Sequence, residues 1–157
     1  MNRSKDLDDA LNVAVVYEDT RTQEWARQVC SRVRHLIGEE GVRTNWWQAD
    51  LLRDVEVLAE ALSAASAAEL LVVSVYASDQ LPLDLYAWID AWLSRRQVPT
   101  GALVALICVP DGAGSQAFRT RDYLQAVART GGLDFLPHEQ SVPREGAQTW
   151  KAPKSGS

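Results

Sequence analysis

Three short apolar runs constrain this chain more than any other feature. They are NVAVVY at 12–17, ELLVVSVY at 69–76 and GALVALICVP at 101–110. The first is β-branched, the other two are rich in Val and Leu, and each has strand length and reads as a buried strand, that at 69–76 on both faces. Each is followed by a segment with apolar residues at helical spacing. After the first come Trp25, Val29, Val33, Leu36 and Ile37, with Thr20 and Gln23 spaced as a capping box and Gly38 and Gly41 as stops. VRTNWWQA (42–49) is a more amphipathic strand and belongs nearer a sheet edge. Leu51, Val55, Leu58, Leu62 and Ala65 mark a second helix. A third runs from about Pro82 to Arg96, with Leu85, Trp88, Ile89, Trp92 and Leu93 on one face. DGAGS reads as a loop, and Ala117, Leu124, Val127 and Ala128 mark a fourth helix, stopped by Gly131-Gly132. LDFLP (133–137) closes the pattern as a short strand. Strands alternating with helices imply a parallel sheet covered by helices on both faces. Five strands at this length predict the order 2-1-3-4-5.

The 157 residues suggest one domain over 12–137, a polar N-terminal segment at 1–11 and a polar, loosely attached tail at 138–157. The net charge of −5 and the lack of a Lys/Arg cluster argue against a nucleic-acid partner. Arg95-Arg96 reads as a solvated helix end. Cys30 and Cys108 read as buried reduced thiols, and no Cys/His spacing points to a metal. No apolar run reaches the roughly 18 residues of a membrane span, and the polar start is not a signal peptide. A cytoplasmic setting is the expectation. Of the six tryptophans, Trp25, Trp88 and Trp92 lie on apolar stripes and read as core, with a partner surface as the other reading for Trp88 and Trp92. Trp46 and Trp47 must point to opposite sheet faces. His35 should face solvent, and neither it nor His138 is a catalytic candidate.

In a sheet of this order, ligands bind beyond the carboxyl ends of the strands, where strands 1 and 3 part. Three loops should meet there: Glu18–Thr22, Ala77–Leu81 and Asp111–Ser115. The first opens a helix, whose free N–H groups suit an anion. Thr20, Thr22 and Arg21 favour phosphate, whereas Glu18 and Asp19 oppose it. A plain helix cap with solvated charges fits equally well. The third loop has two glycines, which suit close approach to a ring or an anion, or simply a flexible connection.

The stretch VYASDQLPLDLYAWIDAWL (75–93) resembles the NADPH-dependent FMN reductases and the wider flavodoxin-like flavoproteins. Tyr76, Pro82, Ile89, Asp90 and Trp92 match that family's turn, proline and helix. DLLRD (50–54), AAELLVVS (67–74) and residues 102–137 resemble further family segments. The resemblance implies a three-layer α/β/α flavodoxin-like fold. It implies FMN with its phosphate at Thr20, Arg21 and Thr22. The ring would lie by Tyr76, Ala77, Ser78 and the turn carrying Gly112, Gly114 and Ser115. It further implies an NAD(P)H-dependent flavin reductase-like oxidoreductase, with the hydride carried by the flavin, and favours a homodimer. The sequence departs from the family at the first loop, where Gly-Ser-x-Arg-x-x-Ser is replaced by Glu18, Asp19, Thr20, Arg21 and Glu24. A second reading therefore stands beside the first: a cofactor-free flavodoxin-like binding or regulatory domain with a degenerate phosphate loop. A pseudo-receiver is included in that reading. Glu18-Asp19 stand where receivers keep acidic metal ligands, but no Asp ends strand 3 and no Lys ends the last strand.

Overall fold

Strands and helices alternate without exception through residues 10–96 and 100–143, the parts described by the computed structural model. The strands are β1 (Leu11–Tyr17), β2 (Val42–Gln48), β3 (Leu70–Tyr76), β4 (Ala102–Pro110) and β5 (Asp134–Val142). The helices are α1 (Thr20–Ile37), α2 (Val55–Ala67), α3 (Leu83–Arg95) and α4 (Gly114–Gly131). The sheet is parallel throughout and ordered β2-β1-β3-β4-β5, as the alternation predicts. Val15 of β1 stands between Trp46 of β2 and Val72 of β3, which fixes the register at the centre.

Strand alternation sorts the core into two halves. Ala14, Val16, Leu71, Val73, Val75, Leu103, Ala105 and Ile107 face one way, against α2, α3 and α4. Val13, Val15, Val72, Val104 and Leu106 face the other, against Ala26 and Cys30 of α1. Among the described residues, three helices thus cover one face and a single helix the other. Trp88 and Trp92 are fully buried in the larger half, so neither presents a partner surface. Trp47 packs against the larger half and Trp46 against the smaller, on opposite faces as expected. Both cysteines are free and buried, with thiols pushed up to about 11 by burial.

Several local expectations are corrected. The cap of α1 is Asp19, not Thr20, and its reciprocal partner is Thr22, not Gln23. The α1 stripe ends early: Leu36 and Ile37 are 84% and 53% exposed. The second helical stripe breaks into a 3₁₀ turn (Ala49–Arg53) and α2, divided by Asp54, whose carboxylate caps α2 through the N–H groups of Glu56 and Val57. Leu51 and Val55 are consequently exposed. DGAGS is only partly loop, since α4 begins at Gly114. Arg95 is exposed as expected, whereas Arg96 is half-buried. Its guanidinium donates to the Ala65 carbonyl (2.9 Å) and the Thr100 carbonyl (3.0 Å), tying the end of α3 to the end of α2. The last strand runs five residues past Pro137, to Val142, so 138–142 belong to the sheet. Pro137 is tolerated because β5 is an edge strand, where a missing donor harms least. The segments 1–9 and 144–157, which include most of the expected tail, lie outside the described residues.

Candidate functional site

The carboxyl ends of β1, β3 and β4 converge as the topology requires. At the end of β1 the chain turns sharply into α1, and this turn is closed by its own side chains. Asp19 Oδ1 accepts the Thr22 N–H (3.1 Å), and Thr22 Oγ1 accepts the Glu18 and Asp19 N–H groups (2.9 Å each). The Thr22 hydroxyl proton goes to the Asp19 carbonyl (3.0 Å). Gln48, at the end of β2, donates its side-chain amide to the Glu18 carbonyl (3.1 Å). Ser74 of β3 donates its hydroxyl to the Thr22 carbonyl (2.7 Å).

Tyr76 joins both carboxylates of this turn. Its backbone N–H donates to Glu18 Oε2 (2.9 Å), and its phenol donates to Asp19 Oδ2 (2.8 Å). Burial raises the Glu18 carboxyl above its ordinary value of 4.5; the Tyr76 N–H pulls it back in part, and the nearby charges of Asp19 and Asp50 raise it further. The Tyr76 phenol is also pushed up, first by burial and then by donating to the Asp19 carboxylate.

The second loop satisfies its own backbone as well. The Ala77 N–H reaches the Cys108 carbonyl (2.8 Å) and the Leu81 N–H the Tyr86 hydroxyl (2.9 Å). Thr120 of α4, almost fully buried, accepts the Ser78 N–H and donates to the Ser78 carbonyl, both at 3.0 Å. Ser78 Oγ donates to the Gln80 carbonyl (2.7 Å) and accepts the Gln80 N–H (3.1 Å). Asp79 pairs with Arg119 of α4. Between Ala77–Gln80 and Pro110–Ala113, with Gln116, an open and largely polar cleft of about 410 Å³ remains.

The expected site residues are distributed unevenly over these features. Thr20 is exposed at the first turn of α1. Arg21 is half-buried in the first turn of α1. Thr22 is fully buried with its hydroxyl consumed inside the turn. Tyr76 stands between the turn and the cleft; Ala77, Ser78 and Gly112 line the cleft. Gly112 has the positive φ of 80° that suits glycine. Gly114 and Ser115 are exposed in the first turn of α4. Sequence reasoning missed the Glu18–Tyr76–Asp19 connection and the Thr120 staple. The Asp-x-x-Thr spacing of 19 and 22 was the available signal for the turn. Nothing in the sequence marks Thr120.

Among the described residues no group of three or more His, Cys, Asp or Glu is placed to hold a metal ion. No helix among them is long and apolar enough to cross a membrane.

This arrangement, a parallel 2-1-3-4-5 sheet with its cleft at the carboxyl ends of β3 and β4, defines a flavodoxin-like fold, and solved structures agree. A short-chain flavodoxin associated with a bacterial microcompartment superposes with a TM-score of 0.61 at 19% identity, covering 85% of each chain. A flavodoxin from Streptococcus pneumonia gives 0.60 at 14% identity, covering 87% of this chain and 90% of its own. The general stress protein 14 of Treponema denticola, solved in complex with FMN, gives 0.54 at 13% identity over 92% of each chain. No protein-family model matches the sequence. No curated protein matches it either.

Proposed function

We propose that this chain is a flavodoxin-like binding domain whose phosphate position is taken by its own carboxylates, so that it acts without FMN. The observation that carries this reading is the Asp19 carboxylate at the N-terminus of α1, held there by the Thr22 N–H and the Tyr76 phenol. A helix N-terminus attracts one anion well. A phosphate brought beside Asp19 meets a like charge, at a cost of about 4 kcal/mol for unit charges about 4 Å apart in a partly solvated site. Glu18 adds a second carboxylate and occupies the Tyr76 N–H. Thr22 has no hydroxyl to offer, being saturated inside the turn. The residues present do not fit an FMN phosphate in this arrangement. The cleft beside Ser78 and Gly112 then suits a ligand or protein segment without phosphate.

A second reading, FMN binding with NAD(P)H-dependent reductase-like activity, is favoured by that same cleft. It lies by Ala77, Ser78 and Gly112, where the flavin ring is expected, and one structural neighbour is an FMN complex.

A visible spectrum of the purified protein, followed by FMN titration read by Trp fluorescence, separates the two. A colourless, folded protein that leaves FMN fluorescence unchanged supports the flavin-free domain. Flavin absorption bands, or saturable quenching at micromolar FMN, support the reductase-like reading and sink the first.

A further inference from the structure

The outward side of α1 carries charge that the fold leaves unused. The helix holds Arg21, Arg27, Arg32 and Arg34 against the single acid Glu24, a local excess of positive charge in a chain of net −5. Its solvent side runs Arg27, Ser31, Arg34, His35 and Gly38, at the spacing that lines one side of a helix. All of these are exposed except Arg34, which is half-buried. Ser31, Arg34, His35 and Gly38 line a largely polar cleft of about 330 Å³. Arg32 flanks the stripe, and the exposed Leu36 stands in its last turn. The helix leaves the carboxyl end of β1 and ends beside the start of β2. This cleft therefore lies at the far end of the sheet from the candidate site, and it is independent of what that site binds.

Several arginines elsewhere are engaged. Arg53, Arg119 and Arg121 pair with Asp84, Asp79 and Glu139, and Arg96 bonds two carbonyls. Arg27, Arg32 and Arg34 have no ion-pair partner among the described residues, and Glu40, just past the helix, forms no ion pair with them. The helix dipole favours Arg34 and His35 in the last turn, but gives no reason for Arg27 and Arg32 further back. The described residues contain no lysine, so every cation here is the planar fork that meets a carboxylate through two parallel bonds.

We propose that this stripe docks a short acidic, amphipathic segment of another protein, with its carboxylates on Arg27, Arg32 and Arg34 and an apolar side chain on Leu36. Charge decides the class of partner. A long polyanion, such as duplex nucleic acid or an anionic membrane, meets the whole chain and its net −5. A short segment meets only the local positive charge of α1. Phosphate gains nothing from the exposed Leu36, whereas a polypeptide gains an apolar anchor there.

A synthetic helical peptide of Glu, Ala and Leu, about 16 residues long, titrated into the isotope-labelled full chain and followed by backbone amide shifts, tests this. The expected result is saturable shifts confined to 27–38, with affinity falling as salt rises from about 50 to about 300 mM. Arg27→Glu and Arg32→Glu, both exposed and so harmless to the core, should each weaken binding about fivefold with an unchanged circular dichroism spectrum. Leu36→Ser should weaken it as well, and the same peptide with Gln for Glu should not bind. No saturable shift at 27–38 would overturn the proposal, as would binding indifferent to both arginine variants. Duplex DNA or phosphatidylglycerol vesicles holding these residues more tightly than the peptide would also overturn it, in favour of a polyanion or a membrane surface.

Discussion

Asp19 and Thr22 hold the turn from β1 to α1, and their removal has unequal consequences. Asp19→Ala deletes the cap of α1 and the acceptor of the Tyr76 phenol, and should cost about 1–2 kcal/mol in urea unfolding. Asp19→Ser keeps a capping oxygen and should lose less. Thr22→Val keeps the buried volume but strands two backbone N–H groups, and should cost more, about 2–4 kcal/mol for two unsatisfied donors. Glu18 gives a pH signature. Its folded pKa is raised, so the folded state holds the proton where the unfolded chain has lost it. The Glu18 contribution to stability therefore grows as pH falls from neutral through the raised pKa, and is complete below the ordinary 4.5. Glu18→Gln should lack that increment, so wild type should gain on the variant across this acidic window in paired unfolding curves; a constant difference contradicts it. The residue types of this site were legible in the sequence. Their use was not, because a carboxylate at a helix start is equally a solvated charge or a cap, and only the position of Tyr76 across the gap decides.

Elements were more legible than their ends. The apolar runs of β3 and β4 read as buried strands because they are short, rich in β-branched residues and bounded by turn residues. The boundaries moved where a local side chain competes with the pattern. Asp54 prefers to cap, so it splits one apolar stripe into a 3₁₀ turn and α2. At the far end of α1 the periodicity continues into exposed residues, Leu36 most of all. Leu36→Lys should therefore change stability by less than about 0.5 kcal/mol, whereas Trp92→Ala should cost about 3–5 kcal/mol. Thermal melts of the two variants check this contrast. Gly101 marks the opposite end of the sheet. Its φ is +146°, and an added Cβ would stand 2.7 Å from the Glu69 carbonyl oxygen. Gly101→Ala should destabilise by about 1–3 kcal/mol from backbone strain alone, with more from the clash.

The described residues distribute their helices three to one, and the candidate site lies at one end of the sheet. The 2-1-3-4-5 order fixes where that end lies, which is why the three converging loops were identifiable from the strand pattern alone. What the loops bind is set by charge and by hydrogen-bond occupancy, and occupancy is a tertiary property. Here Glu18, Asp19, Thr22 and Tyr76 satisfy one another across β1 and β3, and Thr120 satisfies Ser78 from α4. The flavodoxin-like fold carries a turn here whose two carboxylates are bonded by Tyr76, and fold alone does not decide function. The most direct test of this account is a crystal structure of the protein grown with millimolar FMN. The account predicts the Asp19 carboxylate at the N-terminus of α1, still bonded to the Thr22 N–H and the Tyr76 phenol, with no phosphate beside it. An FMN phosphate seated on Thr20 and Arg21, with Asp19 and Tyr76 drawn apart, would contradict it.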